Sequence, residues 1–505
     1  MKSTILVLKL CILLLGPQTS FAQNRNNIWC FGDSAGIDFN DTTNPFPINT
    51  SLVTRGSCAS ISDTSGNLLF YCSTRSGWPG VYSGFIWNRI NNLMLGGDSI
   101  GGDGWYYEMV IVPVPNDDSL FLLSSIGVTM PYGLMYSIID MRGDNGLGEV
   151  TQKNISLLSG KMVDCVTAIK HGNGRDWWLM VRESPTGQPT YNNTWLLFLI
   201  SPSGINPIPV QNVGELNGTN LGNIAVSPDG TKICFTNLGG LIELYDFNRC
   251  TGLVSNPVTI EPQLSSSPYP YYWASEFSPS GQYLYVSSST QISRLWQFDT
   301  WAPNIPSTKT LLWQVQNPAN TAGALKRGPD NKIYFSCAWT GGGFNYVNYN
   351  SSQYYLENMN LSLINSPDSA GFSCDFQPWS FYLGGKRTYW GLPNNPNYDL
   401  GPLVGSSCDT LVGISEPQPS IIKPQLNIFY HPQWQTAFIN ASNLTASKGT
   451  LEIFDVQGKM MHQEDIQIVN GYYTRNFNMT GMADGMYFVN LVTVGQRLSG
   501  KLVKE

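Results

Sequence analysis

Two aromatic clusters, each ending in a carboxylate, contain the residues of this sequence whose types and spacing best suit chemistry. They are Trp105-Tyr106-Tyr107-Glu108 and Tyr271-Tyr272-Trp273-Ala274-Ser275-Glu276. Aromatic faces can stack on the C–H faces of sugar rings, and carboxylates accept hydrogen bonds from sugar hydroxyls. Two carboxylates that flank a glycosidic bond can also hydrolyse it. The clusters therefore predict a sugar-binding surface or a glycoside-cleaving site.

Other catalytic and metal-binding patterns are weak in this sequence. Its three histidines are His171, His431 and His462, and the last two lie near the C-terminus. Because histidine is the usual general base and a common metal ligand, this distribution argues against a Ser-His-Asp triad or a metal site in the rest of the chain. We expect His171, which precedes a glycine, to be a solvated turn residue. No cofactor and no metal is predicted.

The composition excludes several classes of protein. Only 12% of the 505 residues are charged, while glycine (50), tryptophan (15) and tyrosine (25) are plentiful, which disfavours coiled coils and helix bundles. The net charge is −7, so the basic surface of a nucleic-acid-binding protein is not expected. Beyond the N-terminal residues the sequence has no uncharged apolar run of about 18 residues, and we predict no transmembrane helix in the mature chain.

A turn flanked by two β-rich runs occurs six times along the chain, with turn centres about 50 residues apart. The copies are residues 59–71, 110–123, 167–180, 224–235, 276–286 and 324–335. A third alternating run follows each copy, at residues 344–349 in the last one, and a fourth follows most of them. Four antiparallel strands at this period are typical of a β-propeller blade.

The ends of the repeat region predict how the propeller closes. Two β-rich segments remain outside the six copies, one at residues 28–39 and one at 372–383. Because a ring must hide its edge strands, we expect these segments to share a last blade. The sequence thus predicts an all-β fold with seven blades, with six blades as one alternative and an array of β-sandwiches as another.

The repeat also predicts where the aromatic clusters lie. In a propeller, the residues just before the innermost strand of each blade surround one mouth of the central channel. Both clusters occupy this position, together with Asp164, Asn223 and Thr321. We call this predicted surface the rim. Its candidate ligand-binding residues are Trp105, Tyr106, Tyr107, Glu108, Asp164, Asn223, Tyr272, Trp273 and Glu276.

Composition divides the chain into four parts. Lys2, an apolar stretch over residues 5–15 and Ser20-Phe21-Ala22 have the order of a signal peptide, and we expect cleavage after Ala22. Residues 23–385 are assigned to the propeller. Residues 386–424 are rich in Gly, Pro, Asn and Ser, which indicates a linker. Residues 425–505 contain about seven short β-rich runs, which predict a small β-sandwich.

Cysteine spacing gives one disulfide candidate. Export into an oxidising compartment permits disulfides, and Cys58 and Cys72 flank a hairpin turn almost symmetrically. The alternative is that the cysteines are small buried apolar side chains.

The C-terminal region resembles a known export signal. Its segments at residues 451–459, 479–489 and 501–505 resemble the type A C-terminal sorting domain of the Bacteroidetes type IX secretion system. The resemblance implies Sec export, passage across the outer membrane by the type IX machinery, removal of the tail, and release or attachment at the cell surface. The motif residues are Asp455, Gly458, Lys459, Gly485, Tyr487, Lys501, Leu502, Val503 and Lys504.

The first part of the chain resembles a group of exported propeller-like Bacteroidetes proteins. These proteins open with a segment like residues 29–39 and close with one like residues 391–398. The resemblance supports the fold and implies no particular activity. Our main hypothesis is a secreted or cell-surface propeller that binds a glycan or a protein without catalysis. The alternatives are a carbohydrate-active hydrolase or lyase that uses Glu108, Asp164 or Glu276, and a structural scaffold.

Overall fold

The computed structural model describes most of the chain after the predicted signal peptide. The described residues are 24–74, 82–129, 132–185, 191–265, 269–289, 292–315, 320–339, 353–409, 424–432, 435–442, 444–468, 471 and 473–504. The expected cleavage site at Ala22 and the expected third run at residues 344–349 lie outside them.

Seven antiparallel sheets follow one another between residues 28 and 382 of the described chain. Blade 1 comprises β1 (Ile28–Phe31), β2 (Asp33–Asp38) and β3 (Phe46–Val53); blade 2 comprises β4 (Cys58–Ser62), β5 (Leu68–Thr74) and β6 (Gly84–Asn88). Blade 3 comprises β7 (Met109–Val114), β8 (Asp117–Ile126), β9 (Leu134–Asp140) and β10 (Glu149–Leu158). Blade 4 comprises β11 (Thr167–Lys170), β12 (Trp177–Arg182), β13 (Asn192–Ser201), β14 (Gly204–Pro207) and β15 (Gln211–Asn217).

The remaining three blades have four strands each. Blade 5 comprises β16 (Gly222–Val226), β17 (Lys232–Asn237), β18 (Ile242–Phe247) and β19 (Val254–Glu261). Blade 6 comprises β20 (Tyr272–Phe277), β21 (Tyr283–Ser289), β22 (Ser293–Asp299) and β23 (Thr310–Val315). Blade 7 comprises β24 (Asn320–Arg327), β25 (Ile333–Trp339), β26 (Asn360–Ile364) and β27 (Phe376–Tyr382).

The first strand of each blade lies next to the first strand of a neighbouring blade, as the inner ring of a propeller requires. Such contacts join β1 to β4, β4 to β7, β7 to β11, β16 to β20 and β20 to β24. All five residues of β4 and all six of β12 are buried, because neighbouring blades cover both faces of these strands. The six predicted hairpins form the first two strands of blades 2 to 7. The predicted seven-bladed propeller is therefore confirmed.

The ring closes differently from the sequence expectation. Residues 376–382 form the fourth strand of blade 7, and residues 28–53 form a three-stranded blade of their own, so the expected shared blade is wrong. Closure comes from Arg387, whose carbonyl accepts a hydrogen bond of 2.8 Å from the Asp33 amide. The Arg387 guanidinium also pairs with the Asp33 carboxylate. The connection after blade 7 therefore returns to the edge of blade 1.

Residues 386–409, which composition assigned to a linker, instead pack into the propeller. Tyr389, Trp390, Leu392 and Tyr398 are buried. The backbone passes so close to blade 2 that a Cβ on Gly391 would lie 2.0 Å from a backbone oxygen. We call residues 387–409 the plug. Its Asn and Pro content, which resembles that of a loop, suits a segment that pairs with many blades in turn and forms no ladder of its own.

The plug hydrogen-bonds to the inner strands of several blades. Asn394 donates its backbone N–H to Cys58 O (2.8 Å) and its side-chain amide to Met109 O (2.9 Å) and Val166 O (2.7 Å). Asn395 accepts a hydrogen bond of 3.0 Å from the Ser60 amide. Each contact satisfies a backbone group that the axis of the ring would otherwise leave unpaired. The plug therefore ties blades 2, 3 and 4 together along the channel.

The disulfide prediction is wrong. Cys58 pairs with Ser73 in the hairpin register and Cys72 pairs with Ala59, so the two thiols point to opposite faces of the sheet and both are free and buried. The structure contains a disulfide between Cys250 and Cys408, which are 158 residues apart. This bond fastens the end of the plug to blade 5.

The C-terminal residues form the predicted β-sandwich. One sheet comprises β28 (Gln425–His431), β29 (Thr436–Ser442) and β32 (Tyr473–Asn478). The other comprises β30 (Lys448–Asp455), β31 (Met460–Gln467), β33 (Gly485–Thr493) and β34 (Gln496–Lys504). Side-chain amides join this sandwich to the propeller, since Asn440 donates to Ile205 O at 2.9 Å and Asn476 donates to Leu157 O at 2.9 Å.

Helices are short in the described residues. They are α1 (Leu356–Met359) and the 3₁₀ turns Asp144–Gly146, Ile305–Thr308 and Gly371–Cys374. The part of the chain that the structure describes contains no helix with the length and hydropathy of a membrane span.

Candidate functional site

Glu108, a predicted rim carboxylate, is fully buried and is used by the protein itself. It accepts hydrogen bonds from the backbone N–H groups of Asp103 (2.8 Å), Gly104 (3.1 Å) and Trp105 (2.8 Å), and from the Thr74 hydroxyl. Burial, followed by the neighbouring Asp103 side chain, raises the pKa of Glu108 well above its usual value. This carboxyl group therefore holds the turn before β7 in place.

Asp164 has a similar structural role. Its two oxygens accept hydrogen bonds from the backbone N–H groups of Tyr106 (2.9 Å) and Tyr107 (2.7 Å). Burial raises the pKa of Asp164 to about 7, although both of these hydrogen bonds lower it. The carboxyl group thus joins the entry to blade 4 to the entry to blade 3, and both of its oxygens are occupied.

The two predicted aromatic clusters do meet, but they pack on each other. The rings of Tyr106 and Trp273 lie 4.6 Å apart, edge to face, and Trp390 of the plug lies 6.1 Å from each of them. The Arg55 guanidinium stacks 5.0 Å from the Trp105 ring. Tyr106 is buried, and Trp105 and Trp273 are half-buried. This layer, with Glu108 and Asp164 beside it, closes the channel at the predicted rim. We call it the closed end.

The other predicted rim residues divide between two places. Tyr272 lies away from the channel, where its hydroxyl accepts a hydrogen bond of 3.0 Å from Lys309 Nζ. Asn223 borders the channel, and its side-chain oxygen accepts hydrogen bonds from the backbone (3.0 Å) and hydroxyl (3.3 Å) of Ser275. The side chain of Thr321 lies outside the described residues.

Below the aromatic layer, the axis of the propeller contains a cavity of about 280 Å³ between the inner strands and the plug. Tyr107, Asn223 and Glu276 line it, so the structure brings together these three of the predicted residues. The other polar lining residues are Asn26, Asn27, Thr167, Ser275, Lys326, Arg327, Asn331, Asn394, Asn395, Asn397 and Asp399. Asparagine is therefore the commonest residue type of the lining.

Most of these lining residues were not identified from the sequence. The plug residues Asn394, Asn395 and Asn397 belong to the segment 391–398, whose resemblance to other exported propellers was visible but whose composition indicated a loop. Lys326 and Arg327 are the last two residues of β24, the inner strand of blade 7, in the sixth repeat copy. Their position at the end of an inner strand could have identified them. In each blade, this end of the inner strand borders the axis on the side opposite to the predicted rim.

The charged residues of the cavity are close to one another. Lys326 donates a hydrogen bond of 2.6 Å to the carbonyl of Asn395, and burial lowers the pKa of its ammonium group while nearby Glu276 opposes that shift. Glu276 accepts hydrogen bonds from the backbone N–H groups of Phe277 (3.0 Å) and Arg327 (3.1 Å). Glu276 therefore lies near a cation.

The cavity opens at the end opposite to the predicted rim. Asn331 and Asp399 are its exposed lining residues, and they lie at the blade 7 hairpin turn and near the end of the channel part of the plug. We call this the turn end. Tyr107 bounds the cavity on the inner side, and its buried hydroxyl has no hydrogen-bond partner among the described residues. Burial, together with the carboxylates of Asp164 and Glu276, raises the pKa of this hydroxyl.

Catalytic chemistry finds little support in this geometry. All three carboxylates proposed for hydrolysis, Glu108, Asp164 and Glu276, accept hydrogen bonds from the backbone with both oxygens. His171 is buried and not solvated as expected, because its Nε2 lies 3.0 Å from Cys250 O and its Nδ1 accepts from the Asn173 amide. No three His, Cys, Asp or Glu side chains in the described ranges are grouped as metal ligands.

The C-terminal motif residues stabilise one sheet of the sandwich. Asp455 accepts hydrogen bonds from the backbone of Gln457 (3.0 Å) and Lys459 (2.9 Å), which fixes a turn in which Gly458 has a φ of +77°. Gly485 is the first residue of β33. Tyr487 on the same strand is buried and pairs with Asp455 of β30, and the Tyr487 hydroxyl donates a hydrogen bond of 2.6 Å to Ala483 O. On the last strand, Lys501 and Val503 are exposed, whereas Leu502 and Lys504 are buried.

Residues 427–505 match the family model of the secretion system C-terminal sorting domain. The chain carries a type IX sorting domain. This confirms the resemblance drawn from the motifs at residues 451–505. A sorting domain indicates export to the cell surface or the medium, and it implies interaction with the type IX secretion machinery. No curated protein matches the chain.

Similar solved structures include two bacterial proteins of low sequence identity. The periplasmic gluconolactonase of Pseudomonas aeruginosa is 11% identical, with 83% of this chain and 99% of that chain covered and a TM-score of 0.38. A quinonprotein alcohol dehydrogenase-like protein of Bacteroides thetaiotaomicron is 9% identical, with 74% and 79% covered and a TM-score of 0.41. Similarity at this level says nothing about activity.

Proposed function

We propose that this protein is a secreted or cell-surface β-propeller that binds a glycan in its axial cavity without catalysis. A signal peptide that ends at Ala22 would begin its export, and the sorting domain would complete it. The propeller remains as the binding module. The candidate ligand-binding residues of this proposal are Tyr107, Asn223 and Glu276 from the original set, together with Lys326 and Arg327.

The observation that carries the proposal is the amide-lined cavity of about 280 Å³ at the turn end. Amide side chains both donate and accept hydrogen bonds, which matches hydroxyl groups of a sugar, and the Tyr107 ring supplies an aromatic surface. Ligand sites are usually concave and contain a few convergent polar groups. These features favour binding of a small polar ligand. Binding of a protein partner, or a purely structural role, would need only a flat surface.

A comparison of two arginine variants tests this function. Arg327→Ala removes a lining guanidinium that makes no hydrogen bond or ion pair within the described residues, so its loss should not disturb the fold. Arg497→Ala removes an exposed guanidinium of the sorting domain and is the matched control. On a glycan array, we expect the full-length wild type and Arg497→Ala to bind the same glycans and Arg327→Ala to bind at least tenfold more weakly.

Two outcomes of this experiment would count against the proposal. A folded wild-type protein that binds no glycan on the array would contradict the proposed function. Equal binding by all three proteins would place the glycan outside the axial cavity.

A further inference from the structure

We infer that the axial cavity binds a single uncharged sugar ring, which enters at the turn end and hydrogen-bonds to the Tyr107 hydroxyl. This inference rests on the proposed function and specifies its ligand. It is carried by the size of the cavity, the balance of its charges, its hydrogen-bonding groups and the unpartnered Tyr107 hydroxyl.

The size of the cavity limits the ligand to about one ring. Its volume of about 280 Å³ lies just below the ~300–1,000 Å³ range typical of small-molecule sites. The plug occupies the rest of the channel, and the aromatic layer closes the far end. A polysaccharide chain cannot pass through, so only one ring or the terminal unit of a chain fits.

The charges that line the cavity are balanced. The cations are Lys326 and Arg327, and the acids are Glu276 and Asp399. Glu276 lies near the Lys326 ammonium, and Arg327 lies close enough to Asp368 to lower the pKa of that carboxyl group. An anionic or cationic ligand would therefore meet no surplus charge of opposite sign and would lose its hydration.

The hydrogen-bonding groups suit hydroxyls. A hydroxyl group donates one hydrogen bond and accepts others, so it needs both kinds of partner. The Asn331 side chain makes no hydrogen bond among the described residues and offers both. The Asn26 amide nitrogen is an available donor, the Asn394 oxygen and the Glu276 carboxylate offer acceptors, and Lys326 has unused N–H donors after its bond to Asn395. Apolar ligands would leave these groups unpaired at a cost of roughly 1–3 kcal/mol each.

Tyr107 identifies the inner end of the site. Its side chain is only 7% exposed, it borders the cavity, and its hydroxyl has no partner among the described residues. A buried hydroxyl without a partner is costly, and proteins seldom keep one unless a ligand or water satisfies it. A sugar hydroxyl at this position would complete its hydrogen bonding.

The test measures the affinity of the full-length protein for monosaccharides by isothermal titration calorimetry. The probes are a panel of neutral methyl hexosides, with glucuronate and glucosamine as charged analogues. Tyr107→Phe removes the hydroxyl and keeps the ring. Tyr430→Phe is the matched control, since its buried hydroxyl in the sorting domain also has no partner. Neither substitution removes a hydrogen bond, so both variants should keep the melting temperature of the wild type.

We expect a neutral hexoside to bind wild type and Tyr430→Phe equally and Tyr107→Phe about tenfold more weakly, which corresponds to the loss of one hydrogen bond. Unchanged affinity in Tyr107→Phe, or tighter binding of a charged analogue, would overturn the inference. If the wild type binds glycans on the array but no monosaccharide, the inference fails while the proposed function stands. If it binds neither, both fail.

Discussion

The two ends of the axial channel differ in the residues that border them and in their access to solvent. At the closed end, the carboxyl groups of Glu108 and Asp164 accept hydrogen bonds from backbone N–H groups, and the aromatic rings pack on one another. At the turn end, amides and two cations line a cavity that reaches solvent. The difference teaches that residue type indicates chemistry only where the hydrogen-bonding capacity of the side chain is still available.

The largest expected contrast between the ends is in stability. Glu108→Ala removes the acceptor of three backbone N–H groups that are buried or partly buried, so we expect it to lower the free energy of unfolding by at least ~3 kcal/mol. Glu276→Ala at the half-buried turn end removes two such bonds and should cost less than half as much. Chemical denaturation of both variants measures this, and equal losses would contradict the contrast.

The next largest effect concerns how the plug is held beyond the turn end. Replacing both Cys250 and Cys408 by Ser removes the disulfide, and we expect a loss of ~3 kcal/mol in unfolding free energy. Adding reductant should destabilise the wild type by a similar amount and leave the double variant unchanged. A wild type that is insensitive to complete reduction would show that the bond does not stabilise the plug.

The plug itself is tested by Asn394→Ala. This change leaves the carbonyls of Met109 and Val166 without their amide donor, and we expect it to cost ~2 kcal/mol. Asn91→Ala is unsuitable as a control because the Asn91 side chain accepts a hydrogen bond from the Tyr71 hydroxyl. Asn397→Ala removes a part-buried bond to Pro228 O and an exposed bond from the Asp399 backbone N–H, and should cost only ~1 kcal/mol. Thermal unfolding of the two variants ranks them. The opposite ranking would contradict the assigned role of Asn394.

The propeller was predictable because its signal is local and repeated. Each hairpin carries its own alternation and turn residues, so the six copies gave the first two strands of blades 2 to 7. The closure was not predictable in this way. The contact between Arg387 and Asp33 joins residues 354 apart, and no local pattern indicates it.

The site was predicted only in part for a related reason. The repeat puts the residues just before each innermost strand at one mouth of the channel, and the aromatic clusters that contain Trp105 and Trp273 do meet in the structure. Burial there depends on Trp390 of the plug, which arrives from a distant segment with loop composition. The same plug supplies the amides of the cavity, so the sequence could not show that the available groups lie at the other end.

The pH dependence of stability tests the role of Asp164 at the closed end. The pKa of Asp164 is raised to about 7 in the folded state, above its usual value near 3.9 in an unfolded chain, so the folded state binds the proton more tightly. Stability should therefore fall as the pH rises from about 4 to about 7. Asp164→Asn should weaken this dependence, as measured by denaturation at several pH values. A wild type and variant with parallel pH profiles would contradict the shift.

The smallest expected effect is on ligand affinity at the closed end. Trp105→Ala removes a half-buried ring that stacks on Arg55 and does not line the cavity. We expect the affinity for a neutral hexoside to change less than twofold, as measured by calorimetry. A loss of tenfold or more would move the binding site to the predicted rim.

Hydrogen–deuterium exchange of the full-length protein with and without a saturating neutral hexoside tests the contrast between the two ends most directly. We predict that the ligand slows exchange at the turn end, in peptides that contain Arg327 to Asn331 and Asn397 to Asp399, and leaves residues 102–108 unchanged. Protection confined to residues 102–108 would contradict the account, because it would place the ligand at the end that the protein closes with its own side chains.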